Sequence, residues 1–472
     1  MLTTVANTTF LVLIALLIGS LVRYARQGER EAASWIQTII RWLSRSRILC
    51  GALIVTGAIG MGSRMLVGYL GSGDLFQDFI GAKEFAAGRS MNPPNMTERV
   101  DYWLQQDPLK LQVLDRWPAL RKLQDSSIEN GARQVVVQAH PPFHVFLVAA
   151  IVMLCGTIQR TYLMMTAITL ACYAGVLIML WRSVPAGFRA AVPGFFLCIL
   201  AADWQPFIAN LRQGQVGVVV ALLVTAGWYT ILRGRSVAGG VLIGLAALIK
   251  MYPALLLVWL LLRNRRAFIA AISTMSAAAL FLYLTIGWGG FIDYTKAAKT
   301  VVAIFGRSRI NYSLPSVISY VVAGPIQQSV WASAVVVVTG AVLLGYSILL
   351  VVRRSMPSPT EAALEFGIFV VLACLLSPTC EAFYYPILLL PMVALLHTIR
   401  PDAILHSSIV LLAILCCFSF PDQVVWRSTE FLKPILGDRI SWLLCSFPTA
   451  AMVALWYWMT ARGQRMAEVV PV

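Results

Sequence analysis

The chain has 472 residues, of which 59% are hydrophobic and only 12% charged, with a mean hydropathy of +0.77. A soluble protein of this size carries roughly a quarter charged residues, so a soluble globular domain is excluded. The absence of period-two alternation excludes a barrel and leaves helices as the spanning element, because lipid offers backbone groups no partner. The net charge of +16 does not point to nucleic acid: Lys and Arg sit in short clusters between apolar runs, where they face anionic headgroups and set topology.

In chain order, the first span is 5–23. Its run TTFLVLIALLIGSLV lacks a basic leader and a small-residue cleavage site, so it reads as a helix and not a signal peptide. Arg23, Arg26, Arg30, Arg41, Arg45 and Arg47 then place residues up to 47 in the cytoplasm, with AASWIQTIIRWL as a surface-lying amphipathic run. Residues 1–47 form an N-terminal unit, 48–400 the transmembrane core, and 401–472 the C-terminal spans and tail. The second span, 48–70, leads to the outer side and to a polar loop over 71–142.

That loop opens with DLFQDFIGAKEFAAG, a short helix ended by Gly88, with Asp74 at its N-cap. Asp78, Gly81, Ala82 and Phe85 share one face at i, i+3, i+4 and i+7, so two small residues leave room beside a carboxylate. The bland reading of Asp78 is a first-turn acid favoured by the helix dipole. Glu84 is either a second acid or a surface charge. HPPFH at 140–144 closes the loop and starts the next span, since Pro suits a first helical turn.

Further spans are expected at 143–159, 161–181, 190–207, 216–232, 237–262, 268–287, 330–352, 364–397, 403–420 and 440–461, roughly 10–13 helices in all. The direction of 143–207 stays open. Two spans read as broken. Lys250-Met-Tyr-Pro253 interrupts 237–262, and one straight helix would put Arg235 and Arg263 on opposite sides, against the charge bias. Two half-passes meeting near Lys250 put both on the cytoplasmic side. Ser377-Pro378 and Glu381 interrupt 364–397 likewise, and such breaks are tolerated where they line a cavity. A second polar region covers 288–329.

Ionisable groups inside spans are costly and so are functional candidates. Lys250 is read as a phosphate contact, against a snorkelling lysine. Arg212 lies in the polar island ADWQPFIANLRQGQVG, with Gln213 and Gln215 suited to sugar hydroxyls and Arg to a phosphate fork; the alternative is an interfacial turn. GRSRINYSLPS at 306–316 joins Arg307 and Arg309 to Asn311, either as a solvated loop or as a cover over an anionic group. Most of the nine cysteines fall in spans as small buried hydrophobes. The four histidines, His140, His144, His397 and His406, are read as forming no metal-ligand spacing, so neither metal nor cofactor is expected.

The ordered segments QDFIGAKEFAAG, HPPF, RQGQVGVVVALL, AGGVLIGLAALIKMYPALLLVWLLLRNRR, NYSL and SPTCEAFYYPILLLP together resemble glycosyltransferase family 87, over about residues 70 to 400. This family contains relatives of polyprenyl-phosphate-mannose-dependent mannosyltransferases and has the GT-C fold. The resemblance implies a transferase that moves a sugar, mannose or another hexose, from a polyprenyl-phosphate donor to a hydroxyl on a glycolipid or glycan. It implies an integral protein of a bacterial plasma membrane, surrounded by membrane lipids, with its site facing outward and no nucleic-acid partner. The base maps to Asp78; Lys250, Arg212, Arg307 and Arg309 fall to the donor phosphate, and Gln213, Gln215, Asn311, Glu381 and His140 to sugar or acceptor. The late Trp-Asp-His-like group of the family reads Glu381-Ala382-Phe383 here, without its His.

The residues support that chemistry independently. A phosphate leaving group departs as a stable anion, so one base suffices where a glycosidase needs two carboxylates. No Asp-x-Asp stands near the candidate site, which argues against a nucleotide-sugar and metal mechanism. A transporter or flippase of a polar lipid is the main alternative, because broken helices suit transport, and a non-enzymatic membrane assembly partner is a third.

Overall fold

The computed structural model describes residues 73–90, 140–183, 204–306, 310–324, 330–353, 357–398 and 422–468, with isolated positions between 410 and 418. The spans expected at 5–23 and 48–70, most of the outer loop, and Arg307 and Arg309 lie outside the described residues. Among these residues every regular element is helical, and the chain is an all-α polytopic membrane protein.

Helix α1, Gly73–Ala86, ends where expected, with Gly88 at φ +69°. Asp74 lies within this helix and not at a cap position. Pro141 and Pro142 start α2, Pro142–Cys155, whose end is turned by Gly156 at φ +72° into α3, Ile158–Ser183. Asp78, Gly81 and Ala82 are all buried as α1 packs on α2, and Phe85 meets Phe146 edge-on at 6.1 Å. The two small residues therefore let a neighbouring helix approach the carboxylate, where an open space was expected. The polar island, for which an interfacial turn was the alternative reading, folds as a helix, α4, Gln205–Gln213: its carbonyls are capped through Gly214 at φ +64°, which a sequence of alternating polar and apolar residues does not advertise.

Helices α5, Gly217–Leu232, and α6, Ser236–Ile249, pack closely. After α6 the chain extends through Lys250, makes a 3-10 turn over Tyr252–Leu255 and returns as α7, Leu256–Arg263. Asn264 Nδ2 donates to Ser236 Oγ at 2.9 Å, so the start of α6 and the end of α7 meet. The 14 residues of α6 rise about 21 Å, and the return path is about as long. Lys250 thus stands at the far tip of a re-entrant hairpin, and both basic clusters lie at its base, as the charge bias required.

Helix α8, Arg265–Phe305, starts on an Asn264 cap and bends at Gly287, φ +64°, where the sequence ends its apolar run. The polar region beyond is therefore partly a continued helix. Gly240 and Gly244 lie against Ala267 and Ala271: a Cβ on Gly240 would come within 2.1 Å of the Ala267 carbonyl oxygen. In lipid, where apolar tails compete equally for side chains, such small-residue seams let backbones approach.

Helices α9, Leu314–Ala323, and α10, Val330–Val352, lead to α11, Pro359–Leu375, which opens on a capping box between Ser358 and Glu361. Every residue of α11 from Leu364 to Leu375 is buried, as expected of a helix at the centre of a bundle. The Ser377-Pro378 break precedes a 3-10 turn over Ala382–Leu388, and α12, Leu389–Leu396, packs back on α11. Within α11, Glu365 accepts from Arg263 Nε and Nη2 at 2.8 and 2.7 Å, and Nη2 also reaches the Val351 carbonyl at 2.7 Å. This buried fork ties the base of the re-entrant hairpin to α10 and α11. Glu365→Ala, which strands the guanidinium, should cost about 3–5 kcal/mol. Thermal unfolding of the purified protein checks this, and an unchanged midpoint would refute it.

Helices α13, Asp422–Leu436, α14, Asp438–Cys445, and α15, Phe447–Glu468, complete the described chain. Among the described residues three helices can cross a membrane by length and composition, within 158–183, 265–303 and 330–352, and a fourth if α14 and α15, bent by 52°, count as one span. Shorter apolar helices, α2, α5, α6 and α9 among them, accompany them.

Candidate active site

Two pieces of polar chemistry stand out, a carboxylate on α1 and a cation at the tip of the broken 237–262 span. The first is the carboxylate. Asp78 is 1% exposed, accepts from His140 Nδ1 at 2.7 Å through Oδ1, and accepts from His144 Nε2 at 3.1 Å through Oδ2. Burial alone would raise its pKa, but the charge and hydrogen bonds of the two imidazoles outweigh it and hold the carboxyl well below the usual carboxylate range. It stays ionised at neutral pH. His144 is as buried as Asp78, whereas the His140 side chain keeps 20% exposure and forms the accessible side of the group. His140 and His144 lie four residues apart, and α1 brings Asp78 to them: the three offer ligand atoms within 4.8 Å of one another. This corrects the sequence reading of the histidines, whose signal was the four-residue spacing in HPPFH. Glu84, by contrast, is paired, accepting from Arg89 Nε at 2.6 Å.

The second is the cation. Lys250 is 5% exposed, donates to Gln215 Oε1 at 2.8 Å, and stands 4.5 and 4.7 Å from the ring centres of Phe383 and Tyr384. It is therefore not a snorkelling lysine. Tyr252 and Tyr384 bring the two interrupted segments together, their ring centres 4.7 Å apart.

The Gly-Gln segment explains how these tips meet. Gly214 at φ +64° turns α4 into α5, and a Cβ there would meet Leu75 of α1 at 2.9 Å. At Gly217 a Cβ would fall 2.0 Å from the Phe383 carbonyl oxygen, which accepts from Asn210 Nδ2 at 3.0 Å. Gln215, between the two glycines, is thereby aimed at Lys250. Gly217→Ala should separate α5 from the 382–388 turn and cost about 1–3 kcal/mol. A wild-type unfolding midpoint for this variant would overturn the close-approach argument.

The other expected site residues divide. Gln213 is half-buried, and its buried amide oxygen meets no donor among the described residues; the buried Tyr252 hydroxyl has no partner there either. Glu381 stands at the start of the 382–388 turn, half-buried. Arg212 is exposed and sits at the last turn of α4. Asn311 spends its amide on backbone, donating to Pro378 O at 2.9 Å and accepting from Cys380 N at 2.8 Å and Ser313 N at 3.1 Å. It pins the late break in place, and Asn210 does the same from the other side. Both roles were invisible in sequence because the partners lie 67 to 173 residues away.

A helical membrane bundle with a buried, ionised carboxylate on α1 and a buried ammonium at the tip of an interrupted span has the makings of a membrane-embedded transferase. The family model of glycosyltransferase family 87 matches residues 139–378, just over half of the chain. The chain belongs to this family, and it is a membrane glycosyltransferase. The match takes in His140, His144, Gln215 and Lys250, while Asp78 and Glu381 lie outside it. Comparison with curated proteins gave no match, and neither did comparison with solved structures.

Proposed function

We propose that this glycosyltransferase has a GT-C-like fold and moves a hexose, mannose in the first instance, from a polyprenyl phosphate to a hydroxyl of a glycolipid or glycan on the outer membrane face. The observation that carries this reading is a buried, ionised Asp78 on α1 together with a buried Lys250 at the tip of the broken 237–262 span, joined through the 214–215 turn, where Gly214 lies against Leu75 of α1 and Gln215 accepts from Lys250. Asp78 takes the proton of the acceptor hydroxyl as that oxygen attacks the sugar's anomeric carbon. The C1–O bond to the lipid phosphate breaks with its electron pair on the phosphate, and Lys250 stabilises the growing anion. Phe383 and Tyr384 keep water from the ammonium, which strengthens its field. Arg212 extends the phosphate site outward, and Arg307 and Arg309, which precede Asn311 in the sequence, are proposed as further phosphate contacts. Gln213, Gln215, Glu381 and His140 supply hydrogen bonds for sugar and acceptor hydroxyls, and the unpaired oxygen of Gln213 fits that role. A single displacement inverts the anomeric centre.

The deciding experiment incubates the purified protein with a labelled polyprenyl-phosphate hexose and membrane glycolipid extract. A new glycosidic product of inverted configuration supports the reading. Translocation of the labelled lipid without a new glycosidic bond replaces it with a flippase, and retention of configuration rejects the single-displacement mechanism.

A further inference from the structure

We propose that Asp78, His140 and His144 form a three-ligand site for a divalent transition-metal cation such as Zn²⁺ or Mn²⁺. A carboxylate needs one partner to be oriented; here it has two imidazoles, and the three groups supply a His2Asp donor set typical of nitrogen- and oxygen-preferring cations. The histidines sit four residues apart around the first turn of α2, and Asp78 comes from α1, which packs along it. Asp78 and His144 therefore belong to two packed helices, and His140 stands two residues before the start of the second, held by Pro141 and Pro142.

The distances agree. Tetrahedral bonds of about 2.0–2.2 Å place ligand atoms about 3.2–3.6 Å apart. The nitrogen–oxygen separations are 2.7 and 3.1 Å, made to different oxygens of the carboxylate, and the three ligand atoms lie within 4.8 Å of one another, so side-chain shifts of about an ångström bring them to the spacing an ion needs. Asp78 and His144 are buried while His140 is partly open, which gives the ion an entrance and leaves a fourth position on the accessible side.

The binding site stands on this geometry alone; its use rests on the transferase reading above. There the acceptor hydroxyl oxygen takes the open position, which lowers its pKa. Its proton passes to the Asp78 oxygen not bound to the ion, the oxygen bonds to C1, and the C1–O(phosphate) pair leaves on the phosphate.

The test uses the full chain, purified in detergent with a histidine-free tag, stripped with chelator and equilibrated with Zn²⁺. One equivalent per chain is expected, with affinity reduced more than about tenfold in both His140→Ala and His144→Ala. Co²⁺ in wild type should give the intense visible absorption of a four-coordinate ion. Folded wild-type protein that holds far less than one equivalent overturns the proposal, as does undiminished binding by His140→Ala, whose position is the partly open one and most tolerant of change. If His144→Ala fails to fold, the wild-type Co²⁺ spectrum decides: weak six-coordinate absorption sinks the site. Bound metal together with no sugar transfer defeats the transferase reading and leaves the site intact.

Discussion

Asp78→Asn should lower kcat for sugar transfer by about 10²–10⁴-fold while leaving the protein folded. The substitution keeps the volume of a side chain that is 1% exposed. Its amide oxygen can still accept from His140 Nδ1, and its NH2 can donate to His144 once that ring changes tautomer. What is lost is the ionised oxygen that takes a proton, so the proposed base is removed without emptying the space between α1 and α2. Paired measurements check this: turnover of a labelled polyprenyl-phosphate hexose, and the thermal unfolding midpoint of the same preparation. Near wild-type turnover in the folded variant would remove Asp78 from the chemistry. Asp78→Ala is the less useful variant, because it strips both imidazoles of a buried acceptor, and the cost of those orphaned groups would fall on the fold.

Lys250→Met should lower kcat/KM for the donor by about 10²-fold or more and leave acceptor saturation almost unchanged. Met keeps the length of the side chain and packs well between Phe383 and Tyr384, since a thioether is favourable beside aromatic rings. Only the charge departs, and with it the Gln215 hydrogen bond. The effect should fall on the donor, because the negative charge that develops is on its phosphate. Donor and acceptor titrations in both proteins separate the two. An unchanged donor KM and kcat would show that Lys250 holds the two hairpin tips together and does nothing for the phosphate. Lys250→Arg should restore little, because the planar guanidinium does not fit a slot shaped for a compact ammonium.

Much of the architecture is legible in the chain because its causes are local. The 237–262 break follows from Lys-Met-Tyr-Pro and from the charges at both ends, and the helices on either side begin and stop within a few residues of those signals. HPPFH starts α2, Gly88 closes α1, and Gly287 bends α8 where the apolar run stops. The island around Arg212 shows the limit. Its polarity suggests a turn, yet it folds as a helix because Gly214 caps it and Asn210 and Leu75 give it partners from distant segments. Asp78 is singled out by its place beside an apolar span, but its surroundings are not, since a carboxylate on a helix carries no sign of which ring will face it.

The sequence by itself determined that this is a helical membrane protein, where two of its spans break, and which acid and which lysine are exceptional, because hydropathy, proline and charge act over a few residues. Only the tertiary structure decided that Asp78 meets His140 and His144, that Lys250 meets Gln215 and two aromatic rings, and that Asn311 serves the backbone. These pairings join residues from 35 to 134 positions apart. They depend on how closely helices approach through glycine and alanine seams, a property of packing that no stretch of chain carries alone.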